Sequence, residues 1–427
     1  MARKMKDSGI EWIGEIPEGW EIVPVRSCFD EVRTKNTDGQ EQNALQFKSG
    51  NIISKTNFNA SMDDYVADTI TNYTVVLPDT VMINGLNLNY DFKSLRVALV
   101  KEKGVITSAY LAIFPDRKKI SPQYATYLFK GYETKMAFHN MGAGIRKTLG
   151  YKEFKNQPLL LPSEKEQNKI SAYLDSKCSH IDIILSKISS SIEEYKKLKQ
   201  AVITPAVTKG VRGEREMKDS GVEWIGEIPK EWVCEKIKYA TSISRGLFNH
   251  RPRNDERYYN GKYPFIQTGD VANATKYIVS YSQTLNELGK SVSKEFPKGT
   301  LTMTIAANVG DVAILNFDAY FPDSVVGFIP NKNIRTLYLF YVFSAMKDEF
   351  IRTAIKSTQL NLNIDRVKET FIPVTLNVNE QCEIENYLES KCAEIDGLIA
   401  KKEQLVKELE SYKKSLIYEV VTGKREV

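Results

Sequence analysis

The chain has 427 residues, 42% of them hydrophobic and 26% charged, and 59 Lys and Arg against 54 Asp and Glu leave a net charge of +5. Such a length predicts about three folding units with real cores, and the mild positive excess permits a nucleic-acid partner without demanding one. No apolar run approaches the ~18 residues of a membrane span and no secretory signal opens the chain. The scattered Cys28, Cys178, Cys234, Cys382 and Cys392 and the distant His139, His180 and His250 argue for a reducing cytoplasm, against disulfides and against a zinc site.

The first predicted element is a tryptophan motif, EWIGEIPEGW from Glu11 to Trp20, which returns as EWIGEIPKEW from Glu223 to Trp232. The match extends upstream, MKDSGI at Met5 against MKDSGV at Met217, so the offset is 212 residues (223 − 11). All four tryptophans, Trp12, Trp20, Trp224 and Trp232, belong to this motif. Identical aromatic tools in both copies would read nothing distinctive, so they are expected to be structural anchors that seat each domain against a helix. The MARK segment ahead of Met5 has no counterpart in this reading and is taken as an extension.

The middle that follows each motif holds short β-rich runs broken by Gly, Pro, Asn and Asp, with a helix expected near Tyr124 to Phe138 and again near Leu337 to Ile355. Landmarks recur: FKSGNI at Phe47 matches IQTGDV at Ile266, LPDTVM at Leu77 matches FPKGTL at Phe296, and ITSAYLAIFP at Ile106 resembles FPDSVVGFIP at Phe321. The fold of the two middles is therefore expected to be shared while their surfaces differ. Residues 21–160 carry 18 Lys and Arg against 14 Asp and Glu, and residues 233–372 carry 18 against 13. The middles thus hold the positive excess.

Arginine forks suit phosphates and guanine edges, and Asn or Gln suits adenine edges. The richest cluster is RGLFNHRPRNDERYY, where Arg245, Arg251, Arg253 and Arg257 interleave with Phe248, Tyr258 and Tyr259. TQLNLN supplies Gln359, Asn361 and Asn363, and GAGIRKTLG, with Arg146 and Lys147, holds the matching place in the first middle. Lys48 and Gln267 occupy matched positions in the landmarks, and Lys55 and Arg96 complete the candidate DNA contacts.

Each copy ends in a long predicted helix. EQNKISAYLDSKCSHIDIIL from Glu166 aligns without gaps on EQCEIENYLESKCAEIDGLI from Glu380, at an offset of 214 (380 − 166). Cys178, Ile181, Leu185, Ile188, Ile192, Tyr195 and Val202 form a seam in steps of three and four, and Cys392, Ile395, Ile399, Val406, Leu409 and Leu416 form its counterpart. Lys199, Lys413 and Lys402 interrupt it. The expected arrangement is an intrachain antiparallel coiled coil, with two separate surface helices as the alternative. Pro205 is expected to bend or shorten the first helix. Tyr173, Ile183, Tyr387 and Leu398 fall off the seam and are candidate partner contacts.

These elements in this order resemble the specificity subunit of Type I restriction-modification systems: two W-x-G-x-I-P-x-x-W motifs, two dissimilar middles, and two matching EQ-initiated helices ending in AVT or VVT. The resemblance covers essentially the whole chain. It implies an α+β fold of two target-recognition domains, about 21–160 and 233–372, joined by the coiled coil, each domain reading one half of a bipartite DNA target. It also implies two modification subunits that bring S-adenosylmethionine and methylate adenine, and motor-nuclease subunits using ATP and Mg²⁺, with no cofactor in this chain. The expected boundaries are 1–162 and 217–374 for the recognition domains, 163–208 and 375–422 for the helices, 209–216 for the linker and 423–427 for the tail.

Two other readings stand beside it: a stand-alone Mg²⁺-dependent nuclease and a coiled-coil assembly protein without DNA. The first rests on two degenerate patterns, Pro78-Asp79 with Asp91-Phe92-Lys93, and Pro115-Asp116 with Glu133-Thr134-Lys135. The chain contains no GxxxxGK[ST] loop, no GxGxxG and no NPPY- or DPPY-like tetrapeptide, so ATP chemistry and methyl transfer are not expected here.

Overall fold

The computed structural model describes residues 3–55, 70–92, 95–144, 147–356 and 360–427. The chain divides into two compact units, one of residues 1–189 with 403–427, the other of residues 190–402. Each unit therefore contains one tryptophan motif, one middle, the start of one long helix and the end of the other.

In the first unit the motif forms a hairpin, Met5–Asp7 against Glu15–Pro17. Its turn is set by Asp7 accepting the Gly9 N–H at 2.9 Å and by left-handed backbone at Gly9 and Gly14. Glu21–Pro24 pairs with Pro158–Leu161, which closes the middle on itself. Between them lies a four-stranded antiparallel sheet in the order Phe29–Glu31, Leu111–Pro115, Val81–Ile83, Val97–Leu99. The helix Pro122–Thr134 starts on a Ser121 cap with proline in its first turn, and buries Tyr124, Ala125, Leu128, Phe129 and Tyr132. Met136 takes left-handed backbone and ends the run, so the single helix expected to Phe138 is two, the second being Ala137–Met141.

The second unit repeats this plan. Met217–Asp219 pairs with Glu227–Pro229 and Val233–Lys236 pairs with Phe371–Val374. Its five-stranded sheet runs Thr241–Arg245, Val325–Pro330, Leu301–Thr304, Val312–Leu315, Tyr277–Ile278. The first four strands stand in the order of their counterparts in the first unit. Again the expected helix divides, into Thr336–Ala345 and Lys347–Thr353.

The long helices are Glu164–Lys209 and Val378–Val421. Every predicted seam residue is buried or half-buried, while Ile183, Ile184, Leu198, Leu398 and Leu405 face outward. In the first unit Cys178, Ile181 and Leu185 share one core with Leu409 and Leu416. In the second, Ile203 and Val207 share one with Leu388 and Cys392. Two of the three seam lysines are paired across it: Lys199 Nζ donates to both Asp396 oxygens at 2.8 and 2.7 Å, and Lys413 Nζ to both Asp182 oxygens at 2.5 and 2.7 Å, while Lys402 Nζ lies 5.5 Å from the Tyr195 ring centre. From Asp182 to Lys199 is 17 residues forward (199 − 182), and from Lys413 to Asp396 is 17 back (413 − 396), so both crossings obey one antiparallel register.

Pro205 does not end the first helix, which continues to Lys209. The proline itself is exposed, while Ile203, Ala206 and Val207 beside it are buried, and Thr208 Oγ1 donates to the Thr204 carbonyl at 2.8 Å. Packing of these last turns outweighs the roughly 3 kcal/mol that an interior proline costs.

Candidate nucleic-acid interface

The second tryptophan of each motif is internal. Trp20 and Trp232 are buried, and their indole N–H groups donate to Glu166 at 2.9 Å and Glu380 at 3.1 Å, in the first turns of the long helices. The neighbouring Gln167 and Gln381 are buried too. Each accepts one backbone N–H at 2.8 Å, from Ser121 and Arg335, at the head of the main helix of each middle. Their amides donate to the carbonyls of Pro162 at 3.0 Å and Thr375 at 2.7 Å. The EQ dipeptide thus fastens the motif with its first residue and the recognition domain with its second. Both residues stood in the aligned repeat, but alignment alone did not reveal their roles.

Arg3 corrects the reading of MARK as an unmatched extension. Its guanidinium lies 5.4 Å from the Trp20 ring centre and pairs with Glu166, as Arg215 lies 5.4 Å from Trp232 and pairs with Glu380. The two arginines sit two residues before Met5 and Met217, and are equivalent.

On this frame the second unit gathers two of the predicted clusters. Arg245, Arg253, Asp323, Ser324, Asn361 and Asn363 line one open pocket, with Ala306 at its edge. Asp323 organises it: its carboxylate pairs with Arg253 and, at 3.7 Å, with Arg251, and its carbonyl accepts from Arg245 Nε at 2.5 Å. The Asn361 segment arrives there through the bridge to Ala306 and the Leu362 N–H donated to Ile305 at 2.9 Å. Asn363 caps the helix Ile364–Glu369 by accepting the Asp365 N–H at 2.8 Å.

Arg257 is not among the lining residues. It is held by Asp255 of its own turn, at 2.7 Å, and its hydrogen bonds keep the Asp255 carboxyl well below the usual carboxylate range. Gln267 is half-buried, its amide donating to Gln283 at 2.9 Å. Gln359 and Arg146 fall outside the described residues.

A second convergence occurs in the first unit. Lys48 is exposed at the turn of the hairpin Leu45–Lys48 and Asn51–Ser54, whose Gly50 lies against Leu95. Lys147 is exposed on a segment joined to residues 84–92 by Leu88 N–H to Lys147 O at 3.2 Å and Leu149 N–H to Gly85 O at 2.9 Å. Lys55 is half-buried, its Nζ lying 5.9 Å from the Tyr73 ring centre.

Arg96, taken from the sequence as a DNA contact, is only 1% exposed and reaches no surface. Its guanidinium donates to the carbonyls of Asn84 and Leu86 at 2.9 Å and to that of Asp91, while its backbone N–H donates to Glu133. Burial pushes Glu133 up to about 7, against the opposing pull of that hydrogen bond and of Lys130. Tyr90, which no sequence motif singled out, and Phe92 stand exposed on the same segment.

The carboxylates of the nuclease-like patterns are engaged elsewhere. Asp79 pairs with Arg117 at 2.6 Å, Asp116 accepts from Lys118 N–H at 3.1 Å, and Glu133 serves Arg96; Lys93 lies outside the described residues.

Comparison with known proteins gives the frame its family. The family described as Type I restriction modification DNA specificity domain matches residues 243–408. A putative type I restriction enzyme MjaX specificity subunit of Methanocaldococcus jannaschii is 24% identical over 426 residues, covering 96% of this chain and 95% of the relative. The chain belongs to the type I specificity-subunit family. The MjaVIII specificity subunit of the same organism is 23% identical and covers 96% of this chain and 93% of its own. A solved chain from work on complex assembly and conformational transition of the type I R-M system has the same fold, with a TM-score of 0.66 at 15% identity over 96% of this chain and 99% of that one. As a specificity subunit, the chain is a DNA target-recognition protein, and the nuclease and assembly-protein readings find no support. Among the described residues no helix is long and apolar enough to cross a membrane.

Proposed function

We propose that this specificity subunit reads a bipartite DNA target, one half-site per unit, and is itself non-catalytic, directing adenine methylation and restriction performed by partner subunits. The observation that carries the reading is the pairing of a duplicated frame with unlike surfaces. Sheet order, tryptophan anchors and EQ contacts repeat, whereas the matched loops hold arginines and asparagines in one unit and lysines and aromatics in the other. A frame kept alike around differing side chains suits two heads that recognise different base sequences, because base edges specify while the frame only positions.

In this reading two modification subunits bring S-adenosylmethionine, and motor-nuclease subunits bring ATP and Mg²⁺ chemistry, in the cytoplasm. Ile183, Tyr387 and Leu398 are exposed apolar groups on the long helices and fit a partner-docking role. Tyr173 is half-buried against the first core, so it offers less surface than its counterpart Tyr387.

The test is selection from random duplex libraries by the chain assembled with its modification partner. Two short conserved blocks separated by an unread spacer are expected. Exchanging residues 21–160 for those of a relative should change one block only; a change in both blocks would rule out independent heads.

A further inference from the structure

We infer that Tyr90 is a specificity-determining residue of the first unit, stacking against a base step of its half-site, and that buried Arg96 is the positioning residue that presents it. This rests on the DNA-reading role proposed above. Tyr90 is 75% exposed and Phe92 57%, in a segment that leaves the strand Val81–Ile83 and returns as Val97–Leu99.

A surface segment needs no buried guanidinium to exist. Burying a charge is costly unless its donors are satisfied, and Arg96 spends its guanidinium on three carbonyls of the segment itself, those of Asn84, Leu86 and Asp91. His139 Nε2 also lies 3.2 Å from the Asp91 carbonyl, and its ring stacks on Phe92 with centres 5.1 Å apart. The segment is thus held in one shape on both sides of Tyr90. Such pre-ordering lowers the entropy cost of a contact, which favours a binding role for the ring it displays.

The second unit supplies the independent observation. Its segment between Leu301–Thr304 and Val312–Leu315 occupies the same place in the sheet and places Ala306 at the edge of the arginine-lined pocket. In both units this segment is bonded to the later candidate segment through a backbone bond of 2.9 Å, Leu149 N–H to Gly85 O and Leu362 N–H to Ile305 O. The corresponding segment in the first unit, joined to the Lys147 segment through Leu88 and touched at Leu95 by the hairpin that bears Lys48, carries an aromatic ring where the second offers guanidinium forks. Lysines on the neighbouring segments suit phosphates, and an exposed ring on a held backbone suits insertion against a base step.

The experiment uses the full chain in its modification complex, with Tyr90→Ala, Tyr90→Phe and Arg96→Lys, reading affinity for duplex DNA and the sequence profile of methylated sites. Loss of one stacking contact, offset in part by the unstacking that insertion into a duplex costs, predicts binding weaker by about three- to thirtyfold for Tyr90→Ala. Its profile should broaden in one half-site only, with Tyr90→Phe close to wild type and the thermal midpoint unchanged. Arg96→Lys should broaden the same half-site and leave the other intact. Tyr90→Ala with unchanged affinity and profile would overturn the role of the ring, and equal loss at both half-sites in Arg96→Lys would overturn the positioning role. If wild-type complex shows no bipartite profile, it is the DNA-reading function that fails instead.

Discussion

Trp232 donates its indole N–H to Glu380 at 3.1 Å, and Glu380 also accepts from Arg215 at 2.6 Å and from Thr375 Oγ1 at 3.0 Å. One carboxylate thus ties the second tryptophan motif, the linker and the end of the recognition domain to the first turn of a long helix. Glu166 plays this part for Trp20 and Arg3 with a side chain 25% exposed, whereas that of Glu380 is 1% exposed.

Glu380→Ala should therefore be the costlier change. It leaves the Trp232 indole N–H unpaired and takes from the largely buried Arg215 its 2.6 Å partner, with Glu231 at 2.9 Å and the Lys209 carbonyl at 3.0 Å remaining, a loss of about 2–4 kcal/mol. Glu166→Ala, where water can substitute, should cost about 1–3 kcal/mol. Urea unfolding of the two variants measures this order, and equal losses would show that the partial exposure of Glu166 is energetically irrelevant.

The seam ion pairs should act on register more than on stability. Lys199→Asp places like charges beside Asp396 and should destabilise by about 1 kcal/mol, since the pair is partly solvated. Combining it with Asp396→Lys should recover that loss. A double variant no more stable than the single one, by thermal unfolding, would mean that the pair contributes nothing through its charges.

Arg253 and Arg257 stand four residues apart yet should behave differently. Arg253 lines the pocket with Asn361, so Arg253→Ala should relax recognition at one position, a change of about 1–3 kcal/mol between bases. Arg257 lies outside that lining, tied to Asp255 of its own turn, so Arg257→Ala should leave the sequence profile intact. Sequencing methylated sites from cells carrying each variant decides between them.

The raised Glu133 predicts a pH effect with a definite sign. Between its ordinary value of 4.5 and about 7, the folded protein holds a proton that the unfolded chain has released. Stability from this group is full below pH 4.5 and is lost as pH rises through 7. Glu133→Gln keeps an acceptor for the Arg96 N–H and removes the titration, so its stability should decline less than that of the wild type between pH 5 and pH 8, by roughly 1–3 kcal/mol. Parallel denaturation curves for the two proteins across that range would exclude a raised Glu133.

Much of the architecture was legible before any coordinates, because it is written as repetition and period. Gapless duplication of the EQ helices and of the tryptophan motifs determined two like units, and the three-and-four spacing of Cys178, Ile181, Leu185 and Ile188 determined which helix face is covered. Helical period depends only on neighbours along the chain, so sequence suffices for it. What a polar side chain bonds to depends on segments brought together from afar, and no spacing records it. Only the tertiary structure turned Arg96 inward to carbonyls, matched Arg3 to Arg215, carried the first helix past Pro205, and joined Arg245 and Arg253 to Asn361 and Asn363 in one pocket. Candidate DNA contacts could be named by residue type, since forks and amides have fixed chemistry; which of those side chains are buried or already engaged was decided by the tertiary structure, through partners such as Asp255 and Gln283.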